Sequence, residues 1–331
     1  MPDGLLGEGA RVLVLGSGRI GHEVNAMGVV TALGAPYEMQ RVEPRALFSR
    51  LAPYGPIDPK DKPGAPGSVF SGPPPDVVIT SGRVTVPYIR ALKKAWGSRV
   101  FAVFLQDPRH ARKEMDLIWI PEHDSHRGPN VITTLTSPHP FSPARLARAR
   151  AEPDPNLTRL RGPRCAVVLG GPSGAQHFTS ADLQRMVEAV RAVVAQGFSV
   201  MATPSRRTPP ELLAAAREGL GAGPGFIWDG EGENPYLAIL ALADAVLVTG
   251  DSANMVGEAT ATGAPVHVFE PSGGRSKKLA GGIDALVRKG AVRRFAGTID
   301  RFCYAPIDSS GEIAAEIVRR FRAKRAVGGL A

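Results

Sequence analysis

Residues 245–266 read AVLVTGDSANMVGEATATGAPV. Four apolar residues, Ala245–Val248, run into Thr249-Gly250-Asp251-Ser252 and then into a helix-forming segment, Ala253–Thr262, that carries Glu258. An apolar strand that passes through a short Gly/Asp/Ser turn straight into a helix is half of a βαβ unit, the building block of parallel α/β sheets. Asp251 or Ser252 is placed to cap the helix by accepting a hydrogen bond from an otherwise orphaned N–H. The remaining N–H groups, with Ser252, Asn254 and Met255 around them, form an anion site suited to a diphosphate. Glu258, a turn or so further in, is placed to accept from ribose hydroxyls. A capped helix with a solvated glutamate is the plainer alternative.

The same alternation extends on both sides of this stretch. Cys165–Leu169, Ser199–Ala202, Phe226–Trp228 and Val266–Phe269 are strand candidates, and Ala181–Gln196, Pro209–Leu220, Pro235–Ala243 and Ser276–Lys289 carry helical periodicity. Strands that are apolar throughout imply a parallel sheet covered on both faces. Their carboxyl-end turns carry the polar chemistry. Gly170-Gly171-Pro172-Ser173-Gly174 is a second glycine-rich anion turn, with Gly171 and Ser173 as its nominated ligands. Ser205-Arg206-Arg207-Thr208 sets paired arginines where phosphate would lie, with surface ion pairing as the alternative. Trp228, in Ile227-Trp228-Asp229-Gly230, frames a base or fills the core. In open α/β sheets such carboxyl-end loops converge on the ligand crevice.

The first half repeats the pattern, with strands expected at Val12–Leu15, Val77–Thr80, Val100–Leu105, Leu117–Ile120 and Val131–Leu135 and helices at Glu23–Leu33 and Val84–Trp96. Residues 53–75, dense in Pro and Gly, read as a long mobile loop. The first strand enters Gly16-Ser17-Gly18-Arg19-Ile20-Gly21, a literal GxGxxG that can hold an anion. A nicotinamide site there would want an acidic residue closing the next strand, such as Glu38 or Glu43. Against it, no Tyr-x-x-x-Lys pair follows Tyr88 or Tyr236, and His22-Glu23 is polar where such a turn packs closely. The expected fold class is α/β, with two Rossmann-like domains whose parallel sheets face a cleft. The expected boundaries are an acceptor-side domain at 1–145, a linker at 146–163, a nucleotide-binding domain at 164–306 and a C-terminal helix in 307–331.

Bulk properties set the frame. A chain of 331 residues, 43% hydrophobic and 21% charged, suits two globular domains rather than disorder. No apolar run is long enough to span a bilayer and the amino terminus lacks a signal-like pattern, so a cytoplasmic protein is expected, at most peripheral to the inner face of a membrane. Cys165 and Cys303, far apart and without CxxC spacing, suggest buried free thiols in a reducing compartment. The seven histidines show no metal-ligand spacing, and neither metal nor cofactor is expected. Of the +9 net charge, residues 1–150 supply +6 (19 basic, 13 acidic) and the rest +3 (21 basic, 18 acidic). A basic first half favours an anionic partner such as lipid headgroups or a phosphorylated acceptor. Nucleic acid is not expected, because zinc fingers, RNP-like aromatics and a recognition helix are absent.

The 249–266 segment resembles the donor-nucleotide segment of GT-B glycosyltransferases, including the peptidoglycan N-acetylglucosamine transferase, and Gly21-His22 matches the Gly-His that ends the latter's N-terminal glycine turn. A broader resemblance, over nearly the whole chain, is to the mitochondrial-fission Elongated Mitochondria family of plants and its bacterial relatives. It is carried by Gly21–Asn25 (GHEVN), Gln106–Arg109 (QDPR), Met115–Asp124 (MDLIWIPEHD), Gly170–Pro172, Ser205–Pro209 (SRRTP), Ile227–Gly230 with Asn234-Pro235, and Asp251–Ala259. The chain departs from the family at Val24, Asn25, Asn254 and Gly257, losing two hydroxyls beside the expected diphosphate. Bacterial members are often labelled nucleoside-diphosphate-sugar epimerases, and the plant member is understood as a recruiter of a dynamin-related protein. The resemblance implies a GT-B fold, a nucleoside-diphosphate sugar (UDP first among the bases) as donor, and Glu258 on its ribose. The expected reaction is an inverting, metal-independent transfer to a lipid-linked or anionic acceptor. Such chemistry needs a base, for which His22 leads and Asp107 and Glu23 follow, and positive charge on the leaving diphosphate, for which Arg206, Arg207 and the helix start at Ser252 are nominated. Gly18, Gly21, Asn25 and Arg109 fall on the acceptor side. A non-catalytic GT-B scaffold that recruits or binds is the competing expectation.

Overall fold

The computed structural model describes residues 5–7, 9–174 and 176–328. They form two compact units, one comprising the residues up to Pro140 together with those from Asp308 onward, the other Phe141–Ile307. In the first unit the chain runs β1 (Val12–Gly16), α1 (Ile20–Leu33), β2 (Tyr37–Arg41), α2 (Ala46–Leu51), β3 (Val77–Thr80), α3 (Val86–Trp96), β4 (Phe101–Leu105), β5 (Leu117–Pro121) and β6 (Val131–Thr134). All six strands are parallel in the order β2-β1-β3-β4-β5-β6. Helix α1 covers one face through Val29, Val30 and Leu33, and α3 covers the other through Ile89 and Leu92. Both faces are thus dry, which is why β1, β3 and β4 are buried along their whole length and apolar but for Thr80 at the end of β3.

The second unit begins with α4 (Pro143–Ala151) and α5 (Pro155–Thr158). It continues through β7 (Arg164–Leu169), β8 (Gln176–His177), α6 (Ser180–Ala195), β9 (Ser199–Pro204), α7 (Pro210–Leu220), β10 (Gly225–Ile227), α8 (Tyr236–Leu242), β11 (Ala245–Thr249), α9 (Ala253–Thr260), β12 (Val266–Phe269), β13 (Gly273–Gly274), α10 (Lys277–Arg288) and β14 (Val292–Arg294). Its main sheet is parallel, ordered β10-β9-β7-β11-β12-β14, with β8 and β13 forming a separate antiparallel pair. That order reverses direction between β7 and β11. The two loops leaving those strands therefore border the switch point, where open α/β sheets leave room for a ligand.

The last helix, α11 (Ser309–Gly328), belongs to the first unit. Ile313, Ile317 and Phe321, spaced along one face, are buried against the α1 side of the sheet. Each such burial contributes roughly 1.5–3 kcal/mol. Lys324 Nζ donates to Asp116 Oδ1 (2.9 Å), and Ser310 Oγ both accepts from His139 N (2.8 Å) and donates to His139 O (2.7 Å).

Several expectations change. The stretch 146–163 is no linker: α4 and α5 belong to the second unit, burying Leu146 and Leu157 and donating Arg150 Nε to Ala241 O (2.7 Å). Residues 53–75 are anchored rather than loose, because buried Asp58 holds the Arg45 guanidinium (2.7 Å) and backbone (3.0 Å), buried Asp61 accepts from Tyr88 Oη (2.7 Å), and Phe70 enters the core. Strand β2 was absent from the expected elements since Tyr37–Arg41 lies at the sheet edge, mostly exposed, and lacks an apolar run. Cys165 is buried as expected, but Cys303 is exposed. Among the described residues no helix is long and apolar enough to cross a membrane.

Candidate nucleotide site

At the switch point of the second unit three loops lock together. Gly170 N donates to Thr249 Oγ1 (2.7 Å) and Gly171 N to Asp251 Oδ2 (3.0 Å), tying the β7 loop to the β11 loop. The β9 loop closes the third side: Thr208 Oγ1 donates to Leu169 O (2.8 Å), and Arg207 Nη1 donates to Pro172 O (2.9 Å). Both glycines are required by contact. A Cβ on Gly170 would lie 2.2 Å from the Asp251 carboxylate oxygens, and one on Gly171 would lie 1.9 Å from the Arg207 carbonyl oxygen.

Asp251 is the buried centre of this frame, with Arg207 Nη2 3.7 Å from its Oδ2 and no partner on Oδ1 among the described residues. Burial pushes its carboxyl up, against the pull of the hydrogen bonds and of Arg207. Ser252 caps α9, its Oγ accepting from Met255 N (3.5 Å). Ala253 and Asn254 N–H remain without partners among the described residues, so the positive end of α9 is open. Asn254 and Met255, both half-buried, stand in that first turn.

The other nominated ligands divide. Arg206 is exposed with no partner among the described residues, whereas Arg207 is held in the frame. Ser205 is engaged within its own turn, Oγ with Thr208 Oγ1 (3.0 Å) and with Arg207 N (3.3 Å). The backbone of Ser173 pairs with Gln176 in both directions at 2.9 Å, so its amide is not an open anion ligand. Trp228 is half-buried and donates Nε1 to Glu231 O (2.7 Å), closing a local turn. Glu258 lies in the buried part of α9, only 7% exposed, and accepts from Tyr236 Oη at Oε2 (2.7 Å). Burial raises its carboxyl to about 7, while the Tyr236 hydrogen bond pulls the other way. Tyr236 escaped the sequence reading because its partner stands 22 residues later on the next helix, a pairing no local pattern carries.

In the first unit the glycine turn after β1 is already filled. Glu23 folds back from α1 so that Oε1 accepts from Gly18 N (3.0 Å) and Arg41 Nε (3.0 Å), while Oε2 accepts from Arg41 Nη2 (2.8 Å). A Cβ on Gly16 would stand 2.5 Å from that Oε1. The protein's own carboxylate thus occupies the place a dinucleotide pyrophosphate needs, and Arg41, rather than an acid, closes β2. This geometry rejects the nicotinamide reading and removes Glu23 from the candidate bases. The Arg41 bonds hold it below the usual carboxylate range. Asp107 is withdrawn for the same reason: it accepts from Arg112 Nε (2.8 Å), Arg112 Nη2 (2.6 Å) and Arg109 N (2.8 Å), with Arg112 lowering its pKa most.

His22 keeps its candidacy. It is half-buried, Nδ1 lies 3.4 Å from Ser17 Oγ, and the ring packs against Gly82 after β3, where a Cβ would meet Nδ1 at 2.3 Å. Burial, reinforced by Arg19, lowers its pKa, so the imidazole is neutral at pH 7. Asn25 is structural: buried, with its amide nitrogen directed to Pro138 O (3.1 Å) and Gly21 O (3.3 Å). Gly18 has φ +73, which favours glycine, but the Cβ position of Gly21 is open and no protein contact demands a glycine there. After β4, Gln106 (φ +129) and Arg109 (φ +57) both hold positive φ without being glycine. Such strain costs of order 1–3 kcal/mol per residue and clusters at functional loops. The exposed Arg109 side chain has no partner among the described residues.

The roles of Glu23 and His22 separate experimentally. Glu23→Ala is expected to cost roughly 2 kcal/mol in chemical denaturation, because Gly18 N–H and the Arg41 fork lose their acceptor. His22→Asn is expected to leave the denaturation midpoint near wild type. Equal destabilisation by both would show that His22, too, is structural.

Residues 20–321 match the family model described as Mitochondrial fission ELM1. Mitochondrial fission protein ELM1 of Arabidopsis thaliana is 28% identical over 277 residues, which is 76% of this chain, and the alignment spans 65% of that protein's length, just under two thirds. Among solved structures, MurG of Acinetobacter baumannii aligns over 97% of this chain and 99% of its own (TM-score 0.50, 12% identity). UDP-GlcNAc 2-epimerase of Methanocaldococcus jannaschii, in complex with UDP-GlcNAc and UDP, aligns over 94% and 99% (TM-score 0.51, 14% identity). Identity that low speaks for the fold alone, and the fold is GT-B.

Proposed function

Since the chain belongs to the mitochondrial fission ELM1 family and has the GT-B fold, we propose that it transfers a sugar from a nucleoside diphosphate, UDP foremost, bound at the switch point of the second unit. The observation that carries the reading is Glu258, a buried carboxyl set in α9 behind an open helix start. The α9 N–H groups and Arg206 would take the diphosphate, and Glu258 the ribose. The transfer requires a base to accept the proton of an acceptor hydroxyl as that oxygen bonds to the anomeric carbon, and His22, a neutral imidazole in the first unit, is the base nominated. The bond from that carbon to the diphosphate oxygen breaks with inversion, and the nucleoside diphosphate leaves with the electron pair. No metal is needed for this, since the developing charge falls on Arg206 and the helix end. The basic first half, with the free Arg109, favours an anionic or lipid-linked acceptor, and so association with an inner membrane face.

A second reading, nucleotide binding without transfer, is favoured by one observation: the Ser205 hydroxyl and the Ser173 amide are already engaged within the protein. Thermal-shift measurements with UDP, GDP, ADP and their sugars test the first step, and donor hydrolysis the second. UDP and its sugars are expected to stabilise the protein by a few degrees, and Arg206→Ala to weaken them about tenfold without lowering the melting temperature of the free protein. Stabilisation without hydrolysis or transfer would select the second reading. No response to any nucleotide by folded protein would overturn both.

A further inference from the structure

Tyr236 stands at the start of α8, half-buried, with its backbone N–H on Asn234 Oδ1 (3.0 Å) and its ring edge-on to Phe141 at 5.4 Å. Asn234 Oδ1 in turn accepts from Thr203 Oγ1 (3.3 Å) near the end of β9. The ring is thus held from several sides, and a phenylalanine would make the same packing contacts. The hydroxyl serves only one partner, Glu258 Oε2, at 2.7 Å. The Tyr236 bond leaves Glu258 Oε1 without a hydrogen bond among the described residues. A phenol that donates its single proton keeps lone pairs with which to accept.

We propose that Tyr236 is the positioning residue of the nucleoside site: it fixes Glu258 by Oε2, leaving Oε1 and the phenol oxygen as paired acceptors for the vicinal hydroxyls of a ribose. This rests on the nucleotide reading above and adds to it a residue, a selectivity and a proton dependence. A diol meets two acceptors and a deoxyribose only one, so the pair discriminates ribonucleotides from 2′-deoxynucleotides. The acceptor role requires an ionised Glu258. Among the described residues the titratable group facing it is the Tyr236 phenol, and burial and that phenol are what set its proton affinity. Binding therefore strengthens as pH rises through about 7. Removing the phenol removes a hydrogen bond to the ionised form and moves that midpoint upward.

The test is calorimetric titration of the full chain with a UDP-sugar, whose diester phosphates do not ionise in this range, and with its 2′-deoxyuridine analogue, from about pH 6 to about pH 8.5. Tyr236→Phe is expected to keep the wild-type melting temperature near pH 6, where Glu258 is protonated, to raise the midpoint by about one pH unit, and to cut the ribose-over-deoxyribose preference about tenfold. Glu258→Gln is expected to flatten the pH profile. If Tyr236→Phe binds the UDP-sugar with an unmoved midpoint and unchanged preference, the inference falls while the nucleotide site stands. If folded wild-type protein binds no nucleotide, the site and the inference fall together.

Discussion

Gly171→Ala is expected to destabilise the second unit by about 3 kcal/mol or more. The added carbon would sit 1.9 Å from the Arg207 carbonyl oxygen and 2.3 Å from its carbonyl carbon. Neither is a mobile side-chain tip. The Arg207 backbone is held through Ser205 Oγ (3.3 Å), and its guanidinium through Pro172 O (2.9 Å) and Asp251. Relief would require breaking the Thr208 to Leu169 bond or the Gly171 to Asp251 bond, and the latter would take a 3.0 Å backbone donor from a buried carboxylate. Guanidinium denaturation followed at Trp228, the tryptophan of this unit, measures the loss. Gly174→Ala, whose Cβ would meet nothing within 4 Å, serves as the control and is expected to change stability by no more than about 0.5 kcal/mol. A Gly171→Ala midpoint equal to that control would show that the three loops are not locked as described.

The division between what the sequence showed and what it hid follows from which forces are local. Strands such as Val77–Thr80 and Ala245–Thr249 are legible because burial on both faces forces a continuous apolar run. The cap at Ser252 and the helix behind it are legible because capping acts within three residues. Contacts between distant segments are not. Nothing local announces that Glu23 will fill the glycine turn, because that depends on Arg41 reaching back from the neighbouring strand. The same holds for Asp107, whose neighbours in QDPR look catalytic until Arg112 claims both carboxylate oxygens. The sequence shows which residues can do chemistry, and the fold shows which are already engaged. By that measure Arg206, His22 and Arg109 remain available, while Arg207, Glu23 and Asp107 do not.

Glu258→Gln is expected to make the protein more stable at pH 8 and to weaken its nucleotide binding. Burial lifts the Glu258 carboxyl from the ordinary 4.5 to about 7. The folded state therefore binds this proton more tightly than the unfolded chain does. Its stability contribution is full below about pH 4.5, declines as pH rises toward 7, and is level above that. A displacement of that size corresponds to a penalty of order 3 kcal/mol at pH 8, an upper figure because local relaxation reduces it. Glutamine keeps an oxygen for Tyr236 and carries no charge to desolvate, so it recovers most of the penalty and raises the melting temperature by several degrees. At pH 4.5 the variant and wild type are expected to melt together. Loss of the carboxylate should weaken a UDP-sugar by about thirtyfold or more, since a charged acceptor of ribose hydroxyls is worth roughly 2 kcal/mol. A glutamate that serves only the fold predicts the reverse, with stability falling on substitution at every pH. Two readouts of opposite sign in one variant, melting up and binding down, mark a residue that weakens the fold in order to bind. A Glu258→Gln protein that melts lower at pH 8, or that binds the UDP-sugar as wild type does, would remove Glu258 from the site.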